Sequence, residues 1–306
     1  MRSALTTIDG MATTELYVAF TMDCERIAAE SPPGGPESWE TSERAISGFC
    51  DTLLDQGITP SLFLTPECGN QHRRLLRKIS RKGVELGLHV HPQSLGDHRY
   101  GRYLGQYDRE AQRSIIGGAA ESFRRTFGRR PGSFRPGNFS ANEETFSVLV
   151  ELDFRQGSVS DPGRNCPQFA ASWRGSHPLP HWASAEDRLI PGNLPFLEVP
   201  LTTDPSRLHG NGFPYELRVE SGNFDDYHRG IIEGALRHIR RNPGAFPALC
   251  LFTHNYFDYR DPGCQQAITL ANIIDYLDTL RRDHEVRPVT LESMRQRFVE
   301  LHRPQR

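Results

Sequence analysis

Short apolar runs followed by stretches of helical period recur along this chain, and that alternation restricts its possible folds more than any other feature. Residues 16–20 precede a helical stretch over about 41–56. There Ile46, Phe49, Cys50, Leu53 and Leu54 fall at i, i+3, i+4, i+7 and i+8, and Gly57 supplies the stop. A second strand at 61–65 leads to a helix from an Asn70 cap through Leu75, Leu76 and Ile79 to Gly83. A third strand at 84–91 leads to a helix from about Asp108 through Ile115, Ala119 and Phe123 to Gly128. A fourth strand ends at 133–137, and the next helix is expected to open with a capping box of Ser140 and Glu143. Later strands are expected near 154–159, 196–201 and 249–254, with helices over about 226–241 and 265–282 and a last short helix capped by Thr290. Such alternation implies parallel βαβ units. About seven of them make an α/β fold, a distorted (β/α)7-type barrel of parallel strands with outer helices, whose strand C-termini carry the active site. The whole chain, 1–306, reads as one such domain. Its Pro- and Gly-rich stretch 160–195 reads as a long loop system over the barrel mouth or as a plain surface insertion.

Composition removes several function classes. A net charge of -2 lacks the basic excess of a nucleic-acid or membrane-surface binder. No run approaches the ~18 apolar residues of a membrane span. The first twenty residues lack a signal peptide's apolar core, because Thr6, Thr7, Asp9 and Gly10 interrupt it, so a cytoplasmic location is expected. Six scattered cysteines without a CxxC pair fit buried reduced thiols. A small-molecule or saccharide partner suits this surface, and a homo-oligomer stays open.

The chemistry-bearing residues gather at strand ends. Asp23 and Glu25 follow the first strand, and period-2 geometry turns both the same way, away from Cys24. They suit a general base beside a metal ligand; the alternative is a helix cap or an ion pair with Arg26. His89 and His91 share a face at the end of the third strand. Two imidazoles and one carboxylate make a three-ligand set for zinc or another late first-row dication such as cobalt, nickel, manganese or iron. Arg135, in an Arg-Pro-Gly-Asn turn after the fourth strand, is expected at the barrel rim, where its fork can hold and orient a carboxylate, or else as an ordinary surface arginine. His254 ends a late apolar strand, where a histidine can protonate a leaving group.

The order of these pieces resembles the polysaccharide deacetylase (NodB-homology) family, over roughly residues 16–258. Thr21-Met22-Asp23-Cys24-Glu25 stands for its acidic motif, Gly87-Leu88-His89-Val90-His91 for its histidine motif, Phe134-Arg135-Pro136-Gly137-Asn138 for its Arg-Pro motif and Phe252-Thr253-His254 for its Leu-x-His. The resemblance implies a distorted (β/α) barrel holding one divalent metal. It makes Asp23 the base, Glu25, His89 and His91 the ligands, Arg135 and His254 the assisting catalytic residues, and Asn138 a substrate contact. The implied activity is removal of an N-acetyl or other acyl group from a sugar; an allantoinase-like C–N hydrolase and a non-catalytic sugar-binding barrel are the alternatives. The chain departs from the family in its Asp-x-Glu spacing, which leaves Asp23 as an alternative ligand. Its histidines are two apart instead of four, with Gln93 at the fourth position. The family's aromatic and acidic groove motif has no clean match; His181-Trp182 or Glu198-Val199-Pro200 is the expected substitute, with His181 and Trp182 as substrate contacts.

Overall fold

The computed structural model describes residues 14–302, so the N-terminal stretch on which the signal-peptide reading rests lies mostly outside the described residues. In chain order the elements are β1 (Thr14–Cys24), α1 (Trp39–Asp55), β2 (Ser61–Leu64), α2 (Pro66–Gln71), α3 (Arg73–Ser80), β3 (Glu85–Val90), α4 (Arg109–Phe127), β4 (Ser133–Pro136), α5 (Thr145–Glu151) and β5 (Gln156–Gly157). They continue with β6 (Asn165–Cys166), β7 (Ala171–Ser172), β8 (His181–Trp182), β9 (Leu197–Glu198), β10 (Thr203–Leu208), β11 (Pro214–Glu216), α6 (Arg229–Arg241), β12 (Ala248–His254), α7 (Gln265–Thr279), β13 (His284–Pro288) and α8 (Leu291–Leu301).

One curled sheet runs in the order β12-β1-β2-β3-β4-β5-β9-β8, and β13 adds to β1. Every pairing in it is parallel except β8 with β9. The result is the expected α/β architecture as a half-barrel with helices outside. The gap between β9 and β12 is crossed by residues 199–219, which bond to β12: Thr202 N donates to the Cys250 carbonyl and Val219 N to the Phe252 carbonyl, each at 3.0 Å, and Phe252 N donates to the Leu217 carbonyl at 3.1 Å. Strand β1 is buried along nearly all its length, as a parallel strand covered on both faces must be.

Local signals account for most boundaries. Asp108 caps α4 by accepting from Ala111 N at 2.9 Å, and Gly128 ends it at φ 77°, a left-handed conformation that glycine adopts without steric cost. Thr290 caps α8 as expected. Two expected caps are wrong. Asn70 lies inside α2, which Thr65 caps and Pro66 opens, and the chain breaks before α3 at His72, whose ring meets Ser42 Oγ at 2.9 Å. Ser140 does not open α5; its hydroxyl accepts from Gly105 N, while Asn142 and Thr145 cap α5 through side chain-to-backbone bonds.

The stretch 160–195 is built, not a loose insertion. It contains β6, β7 and β8, and its Trp173 is fully buried with the indole N–H on the Phe139 carbonyl at 2.7 Å. Arg164 anchors it from inside, paired with Asp161 at 2.5 Å and with Glu216 at 2.7 Å, lying 4.1 Å over the Phe213 ring, and donating to the Asn138 carbonyl. The opposite, N-terminal end of the barrel is floored by α8. Its Leu291, Met294 and Phe298 pack against Tyr17, Phe63, Leu197 and Phe246, and buried Glu85 receives Ser61 Oγ and the Glu292 backbone N–H. Among the described residues no helix is long and apolar enough to cross a membrane, and the six cysteines are unbridged.

Candidate active site

Register delivers the site. Asp23 lies beside His254 of β12, and His89 beside Arg135 of β4, so four sequence motifs meet at the C-terminal ends of adjacent parallel strands. Because side chains alternate along a strand, Thr21, Asp23 and Glu25 face inward while Met22 and Cys24 join the outer core.

Glu25, His89 and His91 converge. Both imidazole Nε2 atoms face Glu25 Oε1, at 3.1 Å for His89 and 2.9 Å for His91, and the three ligand-type atoms lie within 4.8 Å of one another, all buried. The His89 Nδ1–H donates to the Arg135 carbonyl at 2.9 Å, which fixes the ring and turns Nε2 towards the carboxylate. His91 packs so closely on Gly137 that a Cβ there would stand 2.2 Å from its Nδ1; only glycine fits at 137. Glu25 is latched from behind: its backbone N–H donates to Asn255 Oδ1 at 2.8 Å, and Asn255 Nδ2 donates to the Glu25 carbonyl at 3.1 Å. Burial pushes the Glu25 carboxyl up, but the two imidazoles outweigh it and hold it well below the usual range. Burial likewise depresses His89, but Asp23 and Glu25 together raise it on balance. Glu25 Oε2 is buried without a partner among the described residues. Two ring nitrogens and one carboxylate, one of whose oxygens is unpartnered, are a donor set fit for a dication.

Beside this cluster, Arg135 Nη1 donates to Asp23 Oδ1 at 2.7 Å and to Thr21 Oγ1 at 2.9 Å, with its guanidinium 4.4 Å over the Phe63 ring. Arg135 is 0% exposed, so the expectation of a rim position is wrong. The Pro136-Gly137 turn sits above it, and the side chain drops inward, where aromatic walls and Asp23 replace water. Arg26 pairs with Glu30 and takes no part in the acidic pair.

His254 Nδ1 is held by Glu220 Oε1, which also meets Arg218 Nε at 3.1 Å, while Thr253 Oγ1 donates to Glu220 Oε2 at 2.8 Å. Burial raises Glu220, but Arg218 and His254 overcome it and bring its pKa to about 2. Tyr256 stacks on His254 at 4.9 Å, its phenol pushed up by burial and then by Glu25 and Glu220. Asn138, in the turn after β4, has φ 56° and a buried Oδ1 with no partner among the described residues.

His181 and Trp182 are elsewhere. Trp182 packs on Phe298 of α8, and Phe298 on Phe246 just before β12. The seven-residue β12, which spans roughly 20 Å, separates them from His254. Glu198 is also not a groove residue: it is fully buried, accepting from the Val159 and Ser160 backbone, and burial lifts it to about 8. Sequence reasoning missed Asn255, Glu220 and Tyr256. Asn255 and Tyr256 adjoin His254 and share its strand-end signal, whereas Glu220 lies in an aperiodic stretch that offers none.

Residues 35–157 match the polysaccharide deacetylase family model. That stretch includes His89, His91, Arg135 and Asn138 and excludes Asp23, Glu25 and His254. Among solved structures, a Mycobacterium smegmatis protein classed as a polysaccharide deacetylase is 16% identical with a TM-score of 0.62, over 99% of each chain. Puue allantoinase is 15% identical with a TM-score of 0.63, over 96% of this chain and 94% of its own. A Pseudomonas aeruginosa PAO1 protein also classed as a polysaccharide deacetylase is 15% identical with a TM-score of 0.60, over 95% and 93%. At these identities the likeness is one of fold. No curated protein matches the chain. The expected resemblance to the polysaccharide deacetylases is thus borne out as a family-model match over residues 35–157 and a shared fold.

Proposed function

We propose that this chain, a hydrolase of polysaccharide deacetylase type, uses one divalent metal ion to remove an N-acetyl or other acyl group from a small sugar-containing molecule. The observation that carries the reading is the meeting of Glu25, His89 and His91 beside the Asp23–Arg135 pair. Glu25, His89 and His91 would hold the ion, zinc first by donor type. When bound, such an ion polarises the acyl carbonyl and acidifies water.

The chain's own groups divide the remaining work. Arg135 fixes one Asp23 oxygen, leaving the other to take a proton from the attacking water. Glu220 holds His254 Nδ1, which aims the opposite ring nitrogen outward. From there it can hand a proton to the nitrogen or oxygen that leaves as the acyl bond breaks. Aromatic walls around Arg135 keep that ion pair dry and strong.

A cavity of about 360 Å³ opens at Gln93, two positions along the chain from His91, and none of Asp23, Glu25, His89, His91, Arg135 or His254 lines it. It is lined by Pro32, Pro33, Gln93, His98, Tyr100 and Tyr103, and lies at the low end of ligand-site volumes. Gln93, which stands where the family places its second histidine, has a buried Oε1 without a partner among the described residues. The likeness to Puue allantoinase favours, as a second reading, the C–N bond of a small non-sugar amide, as in an allantoinase-type reaction. Elemental analysis followed by acetate release from acetamido sugars, nucleotide sugars and small amides tests both. Acetate release that a chelator stops and a dication restores supports the first. Ammonia or a ring-opened product from amides alone supports the second, and full turnover in metal-free protein overturns both.

A further inference from the structure

His181 and Trp182 line a cavity of about 550 Å³ at the floor end of the barrel, together with His177, Arg241 and His302. Within it, the His177 and His181 rings stand 4.9 Å apart at 87°. The His89 and His91 rings, whose Nε2 atoms share one carboxylate oxygen, stand 4.8 Å apart at 82°. The likeness goes further than ring placement. His181 Nδ1–H donates to the Leu179 carbonyl at 2.8 Å, as His89 Nδ1–H does to the Arg135 carbonyl, so its Nε2 is left as a bare lone pair. That Nε2 is buried with no partner among the described residues, and His181 itself is 6% exposed. A buried acceptor without a donor forfeits a hydrogen bond, and a bound cation supplies what is missing. Burial holds His181 down at about 4, and burial and then His238 lower His177, so both rings are in the neutral, ligating form at neutral pH.

We propose that His177 and His181 form a second transition-metal site, separate from the cluster at the mouth, that takes a late first-row dication on two imidazoles with water completing the shell. Its lining carries no carboxylate or thiolate, so it selects metals that favour imidazole nitrogen, copper and nickel above manganese or magnesium. It is also weaker than the mouth site, because no anion offsets the ion's charge and Arg241 opposes it.

Nickel titration of metal-free protein, read by calorimetry and elemental analysis, tests the site. A Glu25→Gln/His89→Gln background removes the mouth cluster, so the outcome does not depend on the proposed activity. That background is expected to bind one nickel ion per chain, and adding His177→Gln weakens it at least tenfold. His177 is half-buried, so His177→Gln alone also serves in the wild-type chain if the background fails to fold: the ion count falls by one. A background protein that takes up no nickel, or a site whose affinity His177→Gln leaves unchanged, overturns the proposal.

Discussion

Arg135 and Arg164 are both buried, both paired with carboxylates and both laid over phenylalanine rings, yet they belong to different kinds of site. Arg135 faces one carboxylate, Asp23, whose neighbour Glu25 looks at two imidazoles. Arg164 faces two, Asp161 and Glu216, and the ring beside them is a phenol, Tyr227, whose oxygen accepts from the Glu216 backbone N–H at 3.1 Å. Two acids against one guanidinium leave an excess negative charge in a dry place. The molecule relieves it by holding Asp161 well above the usual carboxylate range, through burial and then Glu216, against the pull of Arg164. The Arg164 group is thus electrically closed and serves as a clasp for the 160–216 segment. Burial and pairing of an arginine therefore do not mark a reaction centre; convergence with metal-type donors does.

The sharpest break in that contrast would come from Asp23. Asp23→Asn is expected to lower turnover by about 10²–10⁴-fold while the ion at Glu25, His89 and His91 stays bound. Loss of the ion in elemental analysis would make Asp23 a ligand and reverse its role with Glu25. Next in size, His254→Ala should lower kcat on amides by about 10²-fold and far less on an activated ester, whose leaving group departs unprotonated. An amide-to-ester ratio equal to the parent's would remove the proton-donor role and reduce the Glu220–His254 pair to scaffolding.

Smaller still on activity, Arg164→Met should cost about 3–5 kcal/mol in denaturant unfolding, the usual loss on breaking a buried pair, with kcat of the folded protein unchanged. A rise in KM alone would show that Asn138, whose carbonyl Arg164 holds, meets substrate. A fall in kcat would erase the line between clasp and centre. The least effect concerns acid stability. Glu220 falls from the usual 4.5 to about 2 on folding, so its contribution is complete above about pH 4.5 and is lost as pH drops towards 2. In Glu220→Gln, acid unfolding curves should lose that part of their slope; an identical acid limb would mean that the Arg218 and His254 contacts do not hold the carboxylate as drawn.

What could be read from the sequence was what repeats locally. Period-2 alternation put Asp23 with Glu25 and His89 with His91 before any neighbour was known, and Asp108, Gly128 and Thr290 announced their helix ends. The errors arose where tertiary contacts decide. Arg135 looked like a rim residue because Pro-Gly usually marks a surface turn, and only the barrel interior reveals its partner. His181-Trp182 carried the right residue types for a groove, but a two-residue strand in an irregular stretch has no periodicity to say which end of the barrel it faces. The apparent single helix breaks at His72, whose ring contacts Ser42, thirty residues earlier.

The Asn255 latch has a consequence for synthesis. It grips Glu25 across 230 residues, and β12, which places His254 next to Asp23, comes from the same late part of the chain. At roughly 5–20 residues per second, a ribosome releases Asn255 on the order of 10–50 s after Glu25. Through that interval β1 has neither its β12 neighbour nor its β13 neighbour, and its bare apolar edge must be tolerated or chaperoned. A nascent chain stalled before residue 248 would display both histidines of the mouth cluster yet lack the grip that aims the carboxylate at them.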